Sequence, residues 1–372
     1  MPGVRNLLDD AAAFGRRAMR SYRRRTGTTP PAADPTGFYA AVDPGDGPRG
    51  EVLGTEPLAL AVGDGWRVRY RTLDAAGRPV ATSMAVAVPA GLAPRPRPVV
   101  VWVHGAGGVA PGCGPSRTGL DAWYADEYVR HGAVVVAPDL TGLGMEGTVH
   151  PYLHGTTAGR AVLDAARAAA DLTTTGAGPV VTIAGHSAGG HAVLWANQLA
   201  AGADGDGLDV RLAVAMSPVV DLAASMDHYS RAHGQAAFPV QLAATWPGVE
   251  PVDAAAVLTA AATERLDHLW SDRLEHLVQV FDGPAERWVR ADAFAEGAWA
   301  NALEAQSAGR APGAAPVLLV HGDADDAAPV DWSRRLAADT DAELKEYRGA
   351  DHMDIGPAAR DDVVAAILAA LA

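Results

Sequence analysis

Short apolar runs recur along this chain, and few folds accommodate them. Val99–Val103, Ala133–Ala137, Val180–Ala184, Leu212–Met216 and Pro316–Val320 are each about one strand long, uncharged and mostly rich in valine. Runs without polar alternation suit strands buried on both faces, as in parallel sheets. Stretches of helical periodicity lie between them. Thr156–Leu172 puts Ala161, Val162, Ala165, Ala168 and Ala169 on one side, and Asp121–Arg130, Trp332–Ala338 and Pro357–Leu371 also read as helices. Glu343–Tyr347 reads as a further strand. Strands alternating with helices predict an α/β protein with a mostly parallel, doubly wound sheet. Upstream, alternation in Trp66–Thr72 and Val80–Val88 around Asp74–Gly77 predicts a β-hairpin.

The alternation lapses over residues 219–313, where helices are expected at Asp253–Ala262, Arg265–Phe281 and Asp292–Ala308. The chain therefore divides into an N-terminal helical arm and linker (1–50), a first core part (51–218), a helical lid insertion (219–313) and a second core part (314–372). Ligands bind at the carboxyl edge of such sheets, where this insertion would sit. In the arm, Val4–Arg25 reads as a helix ending in an arginine cluster, and residues 26–50, rich in Pro, Gly and Asp, read as a linker.

The net charge of −14 argues against nucleic acid or an acidic membrane as the main partner. No stretch is apolar for long enough to span a bilayer, so no integral-membrane role is expected. Cys113 is the only cysteine, which excludes an internal disulfide and any zinc-finger spacing. The N-terminus lacks the pattern of a secretory signal, and a cytoplasmic location is expected.

Val180–Ala184 runs directly into Gly185-His186-Ser187-Ala188-Gly189-Gly190 and then a helical pattern. A G-x-S-x-G turn between strand and helix exposes a serine hydroxyl and aims the next backbone N–H at the reacting atom. The five letters alone are weak evidence, and the context strengthens them. Ser187 is thus a candidate nucleophile, and it needs a base with an orienting acid. The chain order Ser, Asp, His suits this type of sheet. Asp323, Asp325 and Asp326 compete for the acid role after Pro316–Val320. Asp325 fills the acid place of an H-G-x-x-D-x-x-x-P pattern and is preferred. His352, after Glu343–Tyr347, is the candidate base. A tetrahedral intermediate also needs two N–H donors. They are assigned to Ala188 and to Ala106, with Gly107 second, in the loop His104-Gly105-Ala106-Gly107-Gly108. His104 is expected to brace that loop.

Other histidines are expected to be structural. His150 and His154 have Pro151 between them and no further ligand, and His228, His233, His268 and His276 read as solvating the insertion's helices. No metal site is expected. Without G-x-x-x-x-G-K-[ST] or a first-strand G-x-G-x-x-G, no cofactor is expected either.

With these residues in place, the chain resembles the α/β-hydrolases, and among them the secretory-lipase family. Residues 50–372 carry the resemblance. Its segments are Tyr70-Arg71-Thr72 with Gly77–Val80, His104-Gly105 with Gly108-Val109, Cys113–Ser116, Ala137–Asp139 with Gly142–Gly144, His150–Leu153, and the elbow through His191. The resemblance implies a Ser-Asp-His triad under a helical lid. This chain departs from the family in lacking an export signal and a partner for Cys113. Charged residues such as Arg265, Asp267, Asp272, Arg273, Glu275 and Glu286 also punctuate its insertion. The expected function is a serine carboxylic-ester hydrolase acting on a soluble or moderately apolar small-molecule ester. An acyltransferase or thioesterase-type enzyme with a non-water acceptor is the alternative.

Overall fold

The five apolar runs form inner strands of one nine-stranded sheet. The structure, a computed structural model, describes residue 34 and residues 36–91, 96–290 and 292–372. The helix expected at Val4–Arg25 lies outside them. The strands are β1 (Val52–Leu58), β2 (Asp64–Leu73), β3 (Pro79–Val88), β4 (Arg97–Val103), β5 (Val134–Pro138), β6 (Ala177–His186), β7 (Asp209–Met216), β8 (Val317–Gly322) and β9 (Glu343–Tyr347). Their order is β1-β2-β3-β5-β4-β6-β7-β8-β9. The first three strands pair antiparallel, as does β3 with β5. The pairs from β5 to β9 are all parallel.

This order reverses between β4 and β6. The chain steps outward from β4 to β5 through α1 (Ala125–Arg130) and returns past β4 to β6 through α2 (Gly155–Asp171). The loops leaving β4 and β6 diverge there and open a crevice, so the ligand site of such a sheet falls at this point. Helices α2 and α3 (Ala188–Ala200) cover one face, over Val99, Val101, Val181 and Ile183. Helix α1 and the last helix cover the other, over Val100, Trp102, Val135 and Val214. Both faces of the central strands are therefore dry, which explains their lack of polar alternation. The hairpin turn forms because the Asp74 carboxylate accepts the amides of Ala76 and Arg78, at 2.9 Å each, while Gly77 takes a φ of 76°.

Between β7 and β8 the described residues form, besides short 3-10 turns, the α-helices α4 (Leu222–Arg231), α5 (Ala237–Thr245), α6 (Ala254–Val257), α7 (Ala260–Thr263), α8 (Leu274–Val280) and α9 (Gly297–Gln306). Helices α10 (Val330–Asp339) and α11 (Ile355–Leu371) close the core. The insertion's Trp246, Phe281, Trp288 and Trp299 are buried in one apolar cluster that continues into the core through Tyr152, Ala188, Leu319 and Trp332.

Here the expected elements need correction. The helix expected at Asp253–Ala262 is two single turns. Leu258 leaves the helix to bridge Val289, and Thr259 starts the second turn by accepting the amide of Ala262 at 3.2 Å. The helix expected at Arg265–Phe281 is a 3-10 turn (Leu266–Trp270) followed by α8, because the amide of Leu274 bonds to the Gly107 carbonyl at 3.0 Å. The helix expected at Asp292–Ala308 begins only at Gly297.

The described part of the linker reading also changes. Phe38 and Tyr39 are buried with Met145, and the Tyr39 hydroxyl meets Ser116 Oγ at 3.0 Å. Arg49 bonds to the buried Asp164 at 3.0 Å. Residues 36–50 are a strap laid on the core. Among the described residues, no helix is long and apolar enough to cross a membrane.

Candidate active site

Ser187 joins β6 to α3 with a φ of 57° and a ψ of −119°. A non-glycine residue in that region is strained, so the packing around it must impose the conformation. Two glycines provide the room. A Cβ on Gly189 would lie 2.1 Å from the Val103 carbonyl oxygen, and one on Gly185 would lie 2.7 Å from that of Gly189. Strand and helix can therefore close on each other only with bare backbone at both positions.

The structure brings the three residues with expected proton-transfer roles together. The Ser187 hydroxyl donates to His352 Nε2 at 2.9 Å, and His352 Nδ1–H donates to Asp325 Oδ2 at 2.8 Å. Asp325 sits in the loop after β8 and His352 in the loop after β9. The other oxygen of Asp325 accepts the amides of Ala327 and Ala328, at 3.0 and 2.8 Å. Burial pushes the Asp325 carboxyl upward. The facing His352 and the hydrogen bonds from His321 and His352 outweigh it and hold the group far below its usual range. Burial opposes charge on His352, yet Asp325 beside it lifts its pKa above the ordinary 6.5. The chain can thus accept the serine proton at one end and stabilise the resulting imidazolium at the other. Asp326 is different. Burial first, and Asp325 second, raise its carboxyl to about 6. Asp323 accepts the amide of Gly349 at 2.5 Å and so ties the two loops together.

Ala106 and Ala188 line one small cavity together with Gly105, Gly107, Leu140, Leu143 and Tyr152. Its volume is about 20 Å³, room for a single water. His104 donates from Nδ1 to the Gly105 carbonyl at 2.7 Å and so braces the loop. His150 and His191 also line the cavity, and burial lowers both to about 4. That burial keeps each ring neutral, although each donates from Nδ1 to a carbonyl, Thr141 at 2.9 Å and Val219 at 3.0 Å, which by itself favours the charged form. His154 caps α2 by accepting the Thr157 amide.

Two supporting histidines escaped the sequence reading. His186 donates from Nε2 to the backbone carbonyl of His352 at 2.8 Å, and its ring stacks on Trp123 at 4.7 Å. His321 donates from Nε2 to the Ala328 carbonyl at 2.7 Å and lies 3.3 Å from Asp325 Oδ2. His186 is the second letter of the elbow and His321 the first of the H-G-x-x-D run. Those positions were the available signal.

The insertion bears on this site directly. Leu274 N–H bonds to Gly107, and His228 Nε2–H donates to the Asp326 carbonyl at 3.0 Å. Cys113 is buried, and burial raises its thiol to about 11.

Fold and site together define a serine hydrolase of the α/β-hydrolase fold. More narrowly, residues 94–355 match the family described as serine aminopeptidase, S33, and the chain belongs to that family. No curated protein sequence matches the chain. Among solved structures, it is similar to lipase A of Candida antarctica in its closed state, at 21% identity and a TM-score of 0.68, over 87% of this chain and 82% of that one. It is also similar to the rice cell wall degrading esterase LipA of Xanthomonas oryzae, at 17% identity and a TM-score of 0.68, over 87% and 97%.

Proposed function

We propose that this protein hydrolyses carboxylic esters through an acyl-enzyme on Ser187. The observation that carries the reading is the continuous chain from Ser187 Oγ through His352 to Asp325, with contacts of 2.9 and 2.8 Å. Ser187 Oγ attacks the ester carbonyl while His352 takes its proton. The developing oxyanion is held by the amides of Ala106 and Ala188. His352 then protonates the departing alcohol. Water, deprotonated by the same imidazole, releases the acid and frees Ser187. Asp325 keeps Nδ1 protonated so that Nε2 is the basic nitrogen. No cofactor enters these steps.

The substrate reading rests on the walls and the surface. Leu140, Leu143, Tyr152 and Leu153 give the cavity an apolar wall suited to an acyl group. The cavity as it stands holds little more than a water, so an acyl chain requires its walls to open, and the helical insertion, bonded through Leu274 to the Gly107 carbonyl, is the element we assign to that movement as a lid. Among the described residues, the exposed large hydrophobics are Val149 and Trp270. Adsorption to a lipid surface needs a broad contiguous apolar patch, so a soluble or moderately apolar ester fits better. The names of the two similar structures, a lipase and an esterase, agree with ester chemistry. The family description raises the other bond class. Turnover of p-nitrophenyl esters of graded chain length, set against aminoacyl p-nitroanilides, separates the two. Ester turnover that disappears in Ser187→Ala is expected. Cleavage of the anilides alone would replace the ester reading.

A further inference from the structure

A second cluster of reactive side chains lies in the insertion. His268 stands in the 3-10 turn Leu266–Trp270, Asp272 in the break that follows, and His276 in α8. His268 Nδ1 and His276 Nδ1 lie 2.7 and 2.9 Å from the same oxygen, Asp272 Oδ2. All three ligand atoms fall within 4.8 Å of one another. The Ser271 hydroxyl donates to the other Asp272 oxygen at 3.2 Å and so orients the carboxylate. The histidine side chains are about half exposed (45% and 56%), which leaves a cation a direct path in. From sequence, both histidines were expected to line or solvate the insertion's helices rather than to bind metal.

We propose that His268, Asp272 and His276 bind a divalent transition-metal cation, zinc foremost. Two imidazole nitrogens and one carboxylate oxygen are a donor set that zinc accepts, with the fourth tetrahedral position left to water. Calcium and magnesium demand six or more ligands, nearly all oxygen, and this set offers too few. Zinc bonds of about 2.1 Å hold tetrahedral ligand atoms about 3.4 Å apart. The two Nδ1–Oδ2 distances therefore open by about 0.5–0.7 Å from their present 2.7 and 2.9 Å, which exposed rotamers allow. Each ring binds as its neutral Nε2–H tautomer, so the proton now on Nδ1 passes through solvent to Nε2 and Nδ1 is freed for the metal.

The location gives the site a consequence. The ligands straddle the break between the 3-10 turn and α8, and the amide of Leu274 inside that span holds the Gly107 carbonyl. Cys113 Sγ–H donates to the backbone carbonyl of Asp272 at 3.6 Å. A cation would staple the turn by which the insertion rests on the loop bearing Ala106. This proposal does not depend on the bond that the enzyme cleaves.

The test is zinc binding to the full-length, tag-free, metal-stripped chain by isothermal titration calorimetry, beside His268→Gln and His276→Gln. One site per chain is expected, weakened at least about tenfold in each variant. Hydrogen exchange of residues 268–280 is expected to slow with zinc in the wild-type chain and not in the variants. Circular dichroism checks that the variants, both at exposed positions, remain folded. If folded variants bind zinc as the wild type does, the site is overturned. It is equally overturned if the wild type shows only the weak, multiple binding of an acidic surface.

Discussion

At the scale of single residues, the proposed mechanism makes His352 the group that decides when the site can work. Its neutral form is the base, and Asp325 raises its pKa above 6.5. The base is therefore lost as pH falls through that raised value. kcat/KM for an ester should decline on the acid side with a midpoint above 6.5, as a pH–rate profile will show. Asp325→Asn removes the charge that raises it and frees the tautomer. The midpoint should drop, and kcat should fall by about 10³–10⁴-fold. Asp326→Asn should cost less than about threefold, because Asp326 does not hold the imidazole. Comparable losses in the two variants would undo the assignment of the acid. Cys113 should resist thiol reagents at neutral pH in the folded chain and react on unfolding, since its thiolate is scarce and buried. The triad was legible because its members follow strands in a fixed order. His186 and His321 were not. Their motifs marked their places but not their partners: His186 bonds to a residue 166 positions away, and His321 acts through bonds set by how its buried loop folds.

At the scale of elements, the elbow is a tightly constrained turn. Its glycines are places where two backbones touch, so Gly189→Ala should destabilise the fold by about 1–3 kcal/mol, measured by denaturant unfolding. A neutral result would mean that the elbow relaxes more easily than its contacts indicate. The buried strands were legible for the same reason that they pack, since strands covered on both faces have no polar side to write into the sequence. The insertion was less legible. The backbone groups of Leu258 and Leu274 bond to distant segments, and these tertiary bonds break helices that the local pattern would continue. Strand β1, an edge strand that is only partly buried, carried no clear alternation and was missed.

At the scale of the whole molecule, the proposed function ties catalysis to how the insertion rests on the sheet. The Leu274 amide is its direct bond to the Gly107 carbonyl. Leu274 is also the first residue of α8, a position where proline is tolerated. Leu274→Pro therefore removes one hydrogen bond without breaking the helix. Ester turnover should fall about 3- to 10-fold with little loss of helix content, by steady-state kinetics and circular dichroism. Unchanged turnover would detach the insertion from catalysis. The most direct test of the central claim is to trap the acyl-enzyme. After rapid mixing with p-nitrophenyl butyrate and acid quench, peptide mass spectrometry should find one butyryl group on Ser187 of the wild-type chain, and none at that residue's position in Ser187→Ala. An unmodified Ser187 peptide during active turnover, or acylation and turnover that persist in Ser187→Ala, would contradict it.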